Sequence, residues 1–246
     1  LSVAIQFNHN HIVHYLHDSN DVKYDFKLIQ TCVQYDNISI LEEIINETEQ
    51  KNDDKQFFIS AIEIATKTGN FDLILFLLDK FNKRNFNLDE SFLISQLNFA
   101  CQFGYLDIIQ FFINEKKVSY TNEQFKGLYL ASEKGHFDAV QFLCSLPNIN
   151  LNYKDQISTN TPLTISIYHG FFDIVKFLYN LKGVDVNHKL YNGRNSIFKA
   201  VEGKNFEILK FLILANKSHI ITLNKPEMQI KECSRNTTQF LLTIAT

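Results

Sequence analysis

The chain contains 246 residues, 45% of them apolar and 21% charged, and its 24 basic and 27 acidic side chains give a net charge of −3. This composition excludes an intrinsically disordered chain, and the length allows a sizeable core. The near-neutral balance argues against a general nucleic-acid-binding protein, which would show an excess of basic side chains. The charge is unevenly divided, because residues 1–123 carry 10 basic and 18 acidic groups whereas residues 124–246 carry 14 and 9.

Membrane insertion and secretion are not indicated anywhere in the sequence. Apolar runs such as 73–78 stop far short of the roughly 20 residues that span a bilayer, and no signal peptide opens the chain. The cysteines at 32, 101, 144 and 233 are widely spaced, which favours free thiols in a reducing compartment. We therefore predict a cytoplasmic protein, with the nucleus as the alternative. Because the chain begins at Leu1, we expect it to be a piece of a longer protein.

A repeat with a period near 33 residues organises the whole chain. Each copy reads as a small residue, a turn position four residues later, and then an acidic and apolar stretch that contains an aromatic residue. The two copies nearest the N-terminus are the weakest. The turn positions, which are Gly in four copies and polar in the others, are Asn8, Asp36, Gly69, Gly104, Gly135, Gly170 and Lys204.

Every copy predicts a pair of helices joined at this turn position. In the third copy, Phe58, Ile62 and Ala65 give the apolar spacing of a first helix, and residues 73–78 give that of a second helix. Glycine at position 69 suits the left-handed conformation that ends a helix. Neither helix can bury its apolar face alone, so the pairs must stack on one another.

The pattern resembles that of the ankyrin repeat family. Residues 133–143 and 168–178 are similar to the second-helix signature, and Thr161–Ser166 resembles the T-P-L-H-x-A start of a repeat. Residues 184–187 resemble the hairpin between repeats. The resemblance implies an all-α, ankyrin-type helix-pair solenoid of about seven repeats, with partial units at both ends. It also implies a non-catalytic protein that binds other proteins.

Several departures from the family pattern divide the chain. The histidine of T-P-L-H-x-A is replaced in every copy where the position can be aligned, so its hydrogen bonds must be absent or replaced. The residues found there are Glu63, Asn98, Tyr129, Thr164 and Phe198. Upstream first helices are expected to be long, with starts near Asp53 or Asp54, Asp89 and Thr121, where Thr121 and Gln124 form a capping-box pattern.

These departures suggest three segments along the chain. We expect divergent repeats over 1–123, similar to those of protist ankyrin proteins, and regular repeats over 124–216. Residues 217–246 should form an irregular connection and a partial C-terminal repeat.

No catalytic or nucleotide-binding motif occurs in the sequence, so we predict no catalytic residues, no cofactor and no metal. The histidines at 9, 11, 14 and 17 form the strongest candidate cluster. His11 and His14 fall on solvent-facing positions of the repeat, which favours surface histidines over the alternatives of a Zn²⁺ site and a pH-sensitive patch.

One phenylalanine recurs in the second helix of five repeats. A row of rings could stack nucleic-acid bases, but the flanking apolar positions favour packing between adjacent repeats. These residues are Phe76, Phe111, Phe142, Phe177 and Phe211.

A protein partner is the function that the pattern favours, and the repeat register indicates where it binds. In ankyrin arrays the ends of the first helices and the hairpin tips line a groove, where side chains have no packing role. By register the free helix positions include Lys67, Thr68, Glu202 and Gly203. The predicted partner-binding residues are Gln102, Phe103, Glu133, Lys134, Tyr168, His169, Tyr191, Asn192 and Arg194.

Two other functional contexts are alternatives to a free-standing scaffold. The array could be a targeting or regulatory segment of a larger multidomain enzyme, or part of a membrane-associated protein whose span lies elsewhere. We expect a monomer that binds no nucleic acid.

Overall fold

The computed structural model describes residues 1–20, 26–47, 54–121, 123–190 and 193–215. The described residues form fourteen helices and no strand, which confirms the all-α prediction. The helices are α1 (Ser2–Gln6), α2 (Asn10–Asn20), α3 (Phe26–Gln34), α4 (Ile38–Glu47), α5 (Asp54–Thr68), α6 (Phe71–Lys83), α7 (Glu90–Phe103), α8 (Leu106–Asn114), α9 (Gly127–Lys134), α10 (Phe137–Ser145), α11 (Pro162–His169), α12 (Phe172–Asn180), α13 (Ser196–Glu202) and α14 (Phe206–Ala215).

The helices belong to two compact units, here called unit 1 (residues 1–119) and unit 2 (from residue 120). In unit 1 the first helices α1, α3, α5 and α7 pack side by side. In unit 2 the first helices α9, α11 and α13 do the same, and the second helices α10, α12 and α14 form a neighbouring layer. Each unit is therefore a stack of helix pairs, as the repeat predicts. The division at residues 123 and 216 stays a prediction, and residues 217–246 lie outside the described part.

All seven predicted turn positions have a left-handed backbone, with φ between 55° and 84°. Glycine adopts this conformation without strain, and Asn and Asp tolerate it better than other residues do, so Lys204 is the unusual member. The small residues four positions earlier are buried, from Ala4 at 8% exposure to Ala65 at 0%. Sequence spacing alone therefore locates the turn of every repeat.

In four repeats the residue after the turn contacts the turn of the preceding repeat of the same unit. Asn205 Nδ2 donates hydrogen bonds to the carbonyl oxygens of Ile167 (2.7 Å) and Tyr168 (2.9 Å). In unit 1 the Tyr105 ring lies so close to Gly69 that a Cβ atom there would come within 2.6 Å of it. Glycine at this turn thus serves the contact between repeats as well as the left-handed backbone.

The recurring phenylalanines pack between adjacent repeats, and this confirms the prediction for three of the five. Edge-to-face ring contacts join Phe71 to Phe111 (5.4 Å), Phe137 to Phe177 (5.8 Å) and Phe172 to Phe211 (5.6 Å). Each pair links the start of one second helix to the middle of the next.

The prediction of long first helices is confirmed for two helices and is wrong for the third. Helix α5 has 15 residues and α7 has 14, with Asp89 at the N-cap of α7. Helix α9 has only 8 residues and begins at Gly127, not near Thr121. Phe125 is buried at 6% exposure two residues before the helix. The turn that buries its ring takes the place of the expected first helical turns.

The replaced histidine of the family motif has a substitute in α11. The Thr164 hydroxyl donates to the carbonyl of Thr161 at 3.2 Å and accepts from the Thr161 backbone N–H at 2.7 Å. The Thr161 hydroxyl accepts in turn from the Thr164 N–H, which completes a capping box. Threonine therefore orders the start of this helix without the imidazole.

The described thiols are held in their neutral form by burial. Desolvation raises the pKa of Cys32 and of Cys144 from 9.0 to about 12, and it raises the pKa of the fully buried Cys101 as well. Unfolded thiols ionise near their ordinary pKa and so lose protons first as the pH rises. The folded state is then disfavoured, because stability falls with pH wherever the unfolded chain binds fewer protons.

We therefore expect the free energy of unfolding in urea to decrease as the pH rises from about 9 towards 12. A Cys32→Ala/Cys144→Ala variant should show a smaller decrease over the same range. Unfolding free energies that stay constant or rise across this range would contradict the prediction.

Candidate protein-interaction surface

The ends of the first helices in unit 2 expose a row of polar and aromatic side chains. Two or three residues after each buried small residue the helix has turned by about 200° to 300°, so these positions point away from the core. We call this row the first-helix strip of unit 2. It consists of Glu133, Lys134, Tyr168, His169 and Glu202 at these helix ends, together with the neighbouring Arg194, which precedes α13, and the half-buried Phe198 and Lys199 within α13.

The centre of the strip is Tyr168, a residue that is 37% exposed although a side chain of the next repeat contacts its ring. Lys199 Nζ lies 4.9 Å from the centroid of this ring and 2.9 Å from a carboxylate oxygen of Glu202. The His169 ring meets the Tyr168 ring edge to face at 5.0 Å. A lysine over an aromatic face is an attractive arrangement, so Tyr168 is presented to solvent in a restrained orientation.

Arg194 is restrained in a similar way at the start of α13. Its guanidinium carbon lies 3.8 Å from the centroid of the Phe198 ring, and its side chain is exposed. On α9 the charges of Glu133 and Lys134 lie 3.4 Å apart. The predicted residues Tyr191 and Asn192 lie outside the described residues.

Gln102 and Phe103 belong to unit 1 and not to this strip. Phe103 is 43% exposed, and its ring stacks on Tyr105 at 5.8 Å. Also in unit 1, Nζ of Lys67 on α5 lies 4.7 Å from the centroid of the Phe99 ring on α7 and 2.6 Å from a carboxylate oxygen of Glu63. The predicted residues are thus divided between the units, and each unit has a lysine placed over an aromatic ring.

Gly203 was predicted as a free position, and the structure contradicts this. A Cβ atom on Gly203 would overlap the backbone carbonyl oxygen of Tyr168 and lie 2.6 Å from Asn205 Nδ2. The position therefore has a packing role between α11 and α13. Glu202 is exposed, as expected.

The two loops beside the strip are bound to each other. We call residues 146–161 loop A and residues 181–190 loop B. The side chain of Asn152 in loop A donates to the Gly183 carbonyl and accepts from the Asp185 N–H, both at 2.7 Å. His188 in loop B is 6% exposed, and its Nε2 lies 2.8 Å from the Thr159 carbonyl oxygen. These contacts fix loop B against loop A at two points.

A carboxylate fixes the tip of loop A. Asp155 Oδ2 accepts hydrogen bonds from the backbone N–H of Ile157 (3.2 Å) and of Ser158 (2.7 Å) and from the Ser158 hydroxyl (2.7 Å). The bond from the Ser158 N–H is the main cause that lowers the pKa of Asp155. Within this turn Ile157 is 93% exposed.

A family model for ankyrin repeats in three copies matches the chain over residues 62–155 and again over 128–224. These matches together cover well over half of its length. The chain belongs to the ankyrin repeat family. No curated protein matches it.

Family membership fits the two stacks of helix pairs described above. Ankyrin repeats are generally protein–protein interaction modules and are typically non-catalytic. Among the described residues, none of the helices is long and apolar enough to cross a membrane.

The histidines near the N-terminus of this ankyrin protein lie where the register predicts. His9 and His11 are exposed, and His14 Nδ1 lies 3.3 Å from a carboxylate oxygen of Glu43. The side chain of His17 lies outside the described part. Over the described ranges no three His, Cys, Asp or Glu side chains are grouped as a metal site would require.

Sequence reasoning missed Lys199, Phe198 and Ile157 as parts of the surface. The spacing of Lys199 and Glu202 was visible as a pair three residues apart on one helix. The Asp155-x-x-Ser158 spacing indicated the turn that exposes Ile157. The contact of Lys199 with Tyr168 joins two repeats, so no local pattern records it.

Proposed function

We propose that this ankyrin repeat protein is a non-catalytic scaffold that binds a partner protein through the first-helix strip of unit 2 and the adjoining loops. The observation that carries the proposal is the exposed Tyr168, held between Lys199 and His169. Tyrosine and arginine are the residue types most often found as energetic anchors of interfaces.

Restrained side chains favour unit 2 as the binding unit. Binding orders the side chains and loops of an interface, and that ordering has an entropic cost. The ring of Tyr168 and the guanidinium of Arg194 are already placed by neighbouring side chains, and loops A and B are already joined. A partner therefore meets a surface that needs little rearrangement. Tyr191 and Asn192 remain predicted members of the same surface.

We expect a Tyr168→Ala/Arg194→Ala variant to weaken partner binding by more than about 2 kcal/mol, or about 30-fold in Kd, because two anchors are removed. The partner is first captured with the wild-type chain from a lysate of the source organism. It is then prepared recombinantly, and its Kd is measured by calorimetry.

The matched control is Gln102→Ala/Phe103→Ala, which removes an exposed aromatic residue from unit 1. Circular dichroism should show unchanged helicity in both variants. If the Kd is unchanged in the Tyr168→Ala/Arg194→Ala variant but rises in the control, the binding surface lies in unit 1 and the proposal is wrong.

A further inference from the structure

The tip of loop A presents an aliphatic side chain to water from a fixed backbone. Ile157 is 93% exposed, whereas the other exposed large apolar residues among the described residues of unit 2 have values between 37% and 48%. Its turn is closed by the Asp155 carboxylate and by a hydrogen bond from the Asp155 N–H to the Asn160 carbonyl (2.9 Å). An apolar group held in this way loses little entropy when a partner covers it.

The two loops carry more basic than acidic side chains. The carboxylates of the two loops, Asp155 and Asp185, accept hydrogen bonds within their own turns. The lysines of the loops are Lys154, Lys182 and Lys189, which are exposed and form no ion pair with another described residue. The loop pair therefore carries three lysines against two aspartates, a net charge of +1, together with one exposed apolar group.

Hydrogen bonds between the loops hold the backbone beside two of these lysines against loop A. Asn152 holds the chain next to Lys182, because it bonds to Gly183. His188 holds the chain next to Lys189 against Thr159, two residues after Ile157. The backbone positions of Lys182 and Lys189 thus follow from hydrogen bonds between the loops, and Lys154 belongs to loop A itself.

We propose that the loop pair docks an acidic segment of the partner protein that carries one large apolar side chain. The apolar side chain covers Ile157, and the carboxylates of the segment pair with Lys154, Lys182 and Lys189. An exposed aliphatic group is poorly matched to a phosphate backbone, which favours a polypeptide over a nucleic acid. This docking site refines the partner binding proposed above and depends on it.

The test starts from a phage-displayed library of random 12-residue peptides selected on the whole chain at 150 mM NaCl. Enriched peptides should combine several Asp or Glu residues with one large apolar residue. The most enriched peptide, made synthetically, should bind at least tenfold more weakly to Ile157→Ser and to Lys154→Glu/Lys189→Glu.

Two exposed residues of the second helices provide matched controls, Leu214→Ser for the apolar change and Lys176→Glu for the charge change. Each should alter the Kd of the peptide less than twofold. The proposal is overturned if no peptide is enriched, if the enriched peptides lack acidic residues, or if an oligonucleotide of 12 nucleotides binds more tightly than the peptides.

The full-length partner separates this inference from the proposed function. If Tyr168→Ala/Arg194→Ala weakens binding of the partner while Ile157→Ser and Lys154→Glu/Lys189→Glu do not, the partner binds the first-helix strip and the proposed loop site is wrong. If none of these variants weakens binding of the partner, the proposed function and the loop site are both wrong.

Discussion

Leu178→Ala is expected to destabilise the protein by about 2–5 kcal/mol, the usual range for a buried leucine. Leu178 lies on α12 with 0% exposure, and α12 packs against α11, α10 and α14. Truncation removes apolar contacts in the middle of the unit 2 stack and leaves a cavity that the neighbouring helices cannot fill. Urea unfolding of the two proteins gives the difference in free energy.

Two further leucines show whether the loss of stability follows the burial of the leucine, which is greater inside the array than near its N-terminus. Leu143→Ala, on α10 and also at 0% exposure, should cost about as much as Leu178→Ala. Leu16→Ala, on the half-buried surface of α2 near the N-terminus, should cost much less. Equal losses in the three variants would contradict the dependence on burial that the repeats imply.

Gly203→Ala is expected to destabilise unit 2 by about 3 kcal/mol, at the upper end of the range for overpacked sites. The backbone φ of Gly203 is −75°, so alanine meets no conformational penalty there. The added Cβ atom would instead overlap the backbone carbonyl oxygen of Tyr168. Because that oxygen belongs to α11, the overlap can be relieved only by moving α13 away from α11.

Gly193→Ala is the matched control for this steric effect. Gly193 has a left-handed φ of 74°, and a Cβ atom there would have no other atom within 4 Å. Its replacement by alanine should lower the free energy of unfolding only by the cost of a left-handed backbone conformation, about 1 kcal/mol. Thermal unfolding of both variants provides the comparison, and the packing argument fails if Gly203→Ala costs no more than Gly193→Ala.

Most of the fold could be predicted because one period governs both helices and turns. The spacing of small residues located all seven left-handed turns, including the three where Asn8, Asp36 and Lys204 replace glycine. The start of α9 could not be predicted, since the capping pattern at Thr121 competes with the burial of Phe125.

The candidate surface was predicted less completely than the fold. Register shows which face of a helix a residue occupies, and it placed Tyr168 and His169 on the exposed face correctly. It does not show which side chains meet across repeats. The contact of Lys199 with Tyr168 and the collision that excludes a side chain at Gly203 both depend on the distance between α11 and α13.

Both units place a lysine over an aromatic ring on their first helices, so the choice of binding unit needs a direct measurement. Hydroxyl-radical footprinting of the complex reports the solvent exposure of individual aromatic side chains. We predict that the partner protects Tyr168 and His169 from oxidation and leaves Phe103 as reactive as in the free protein. Protection of Phe103 with unchanged oxidation of Tyr168 and His169 would contradict the assignment of binding to unit 2.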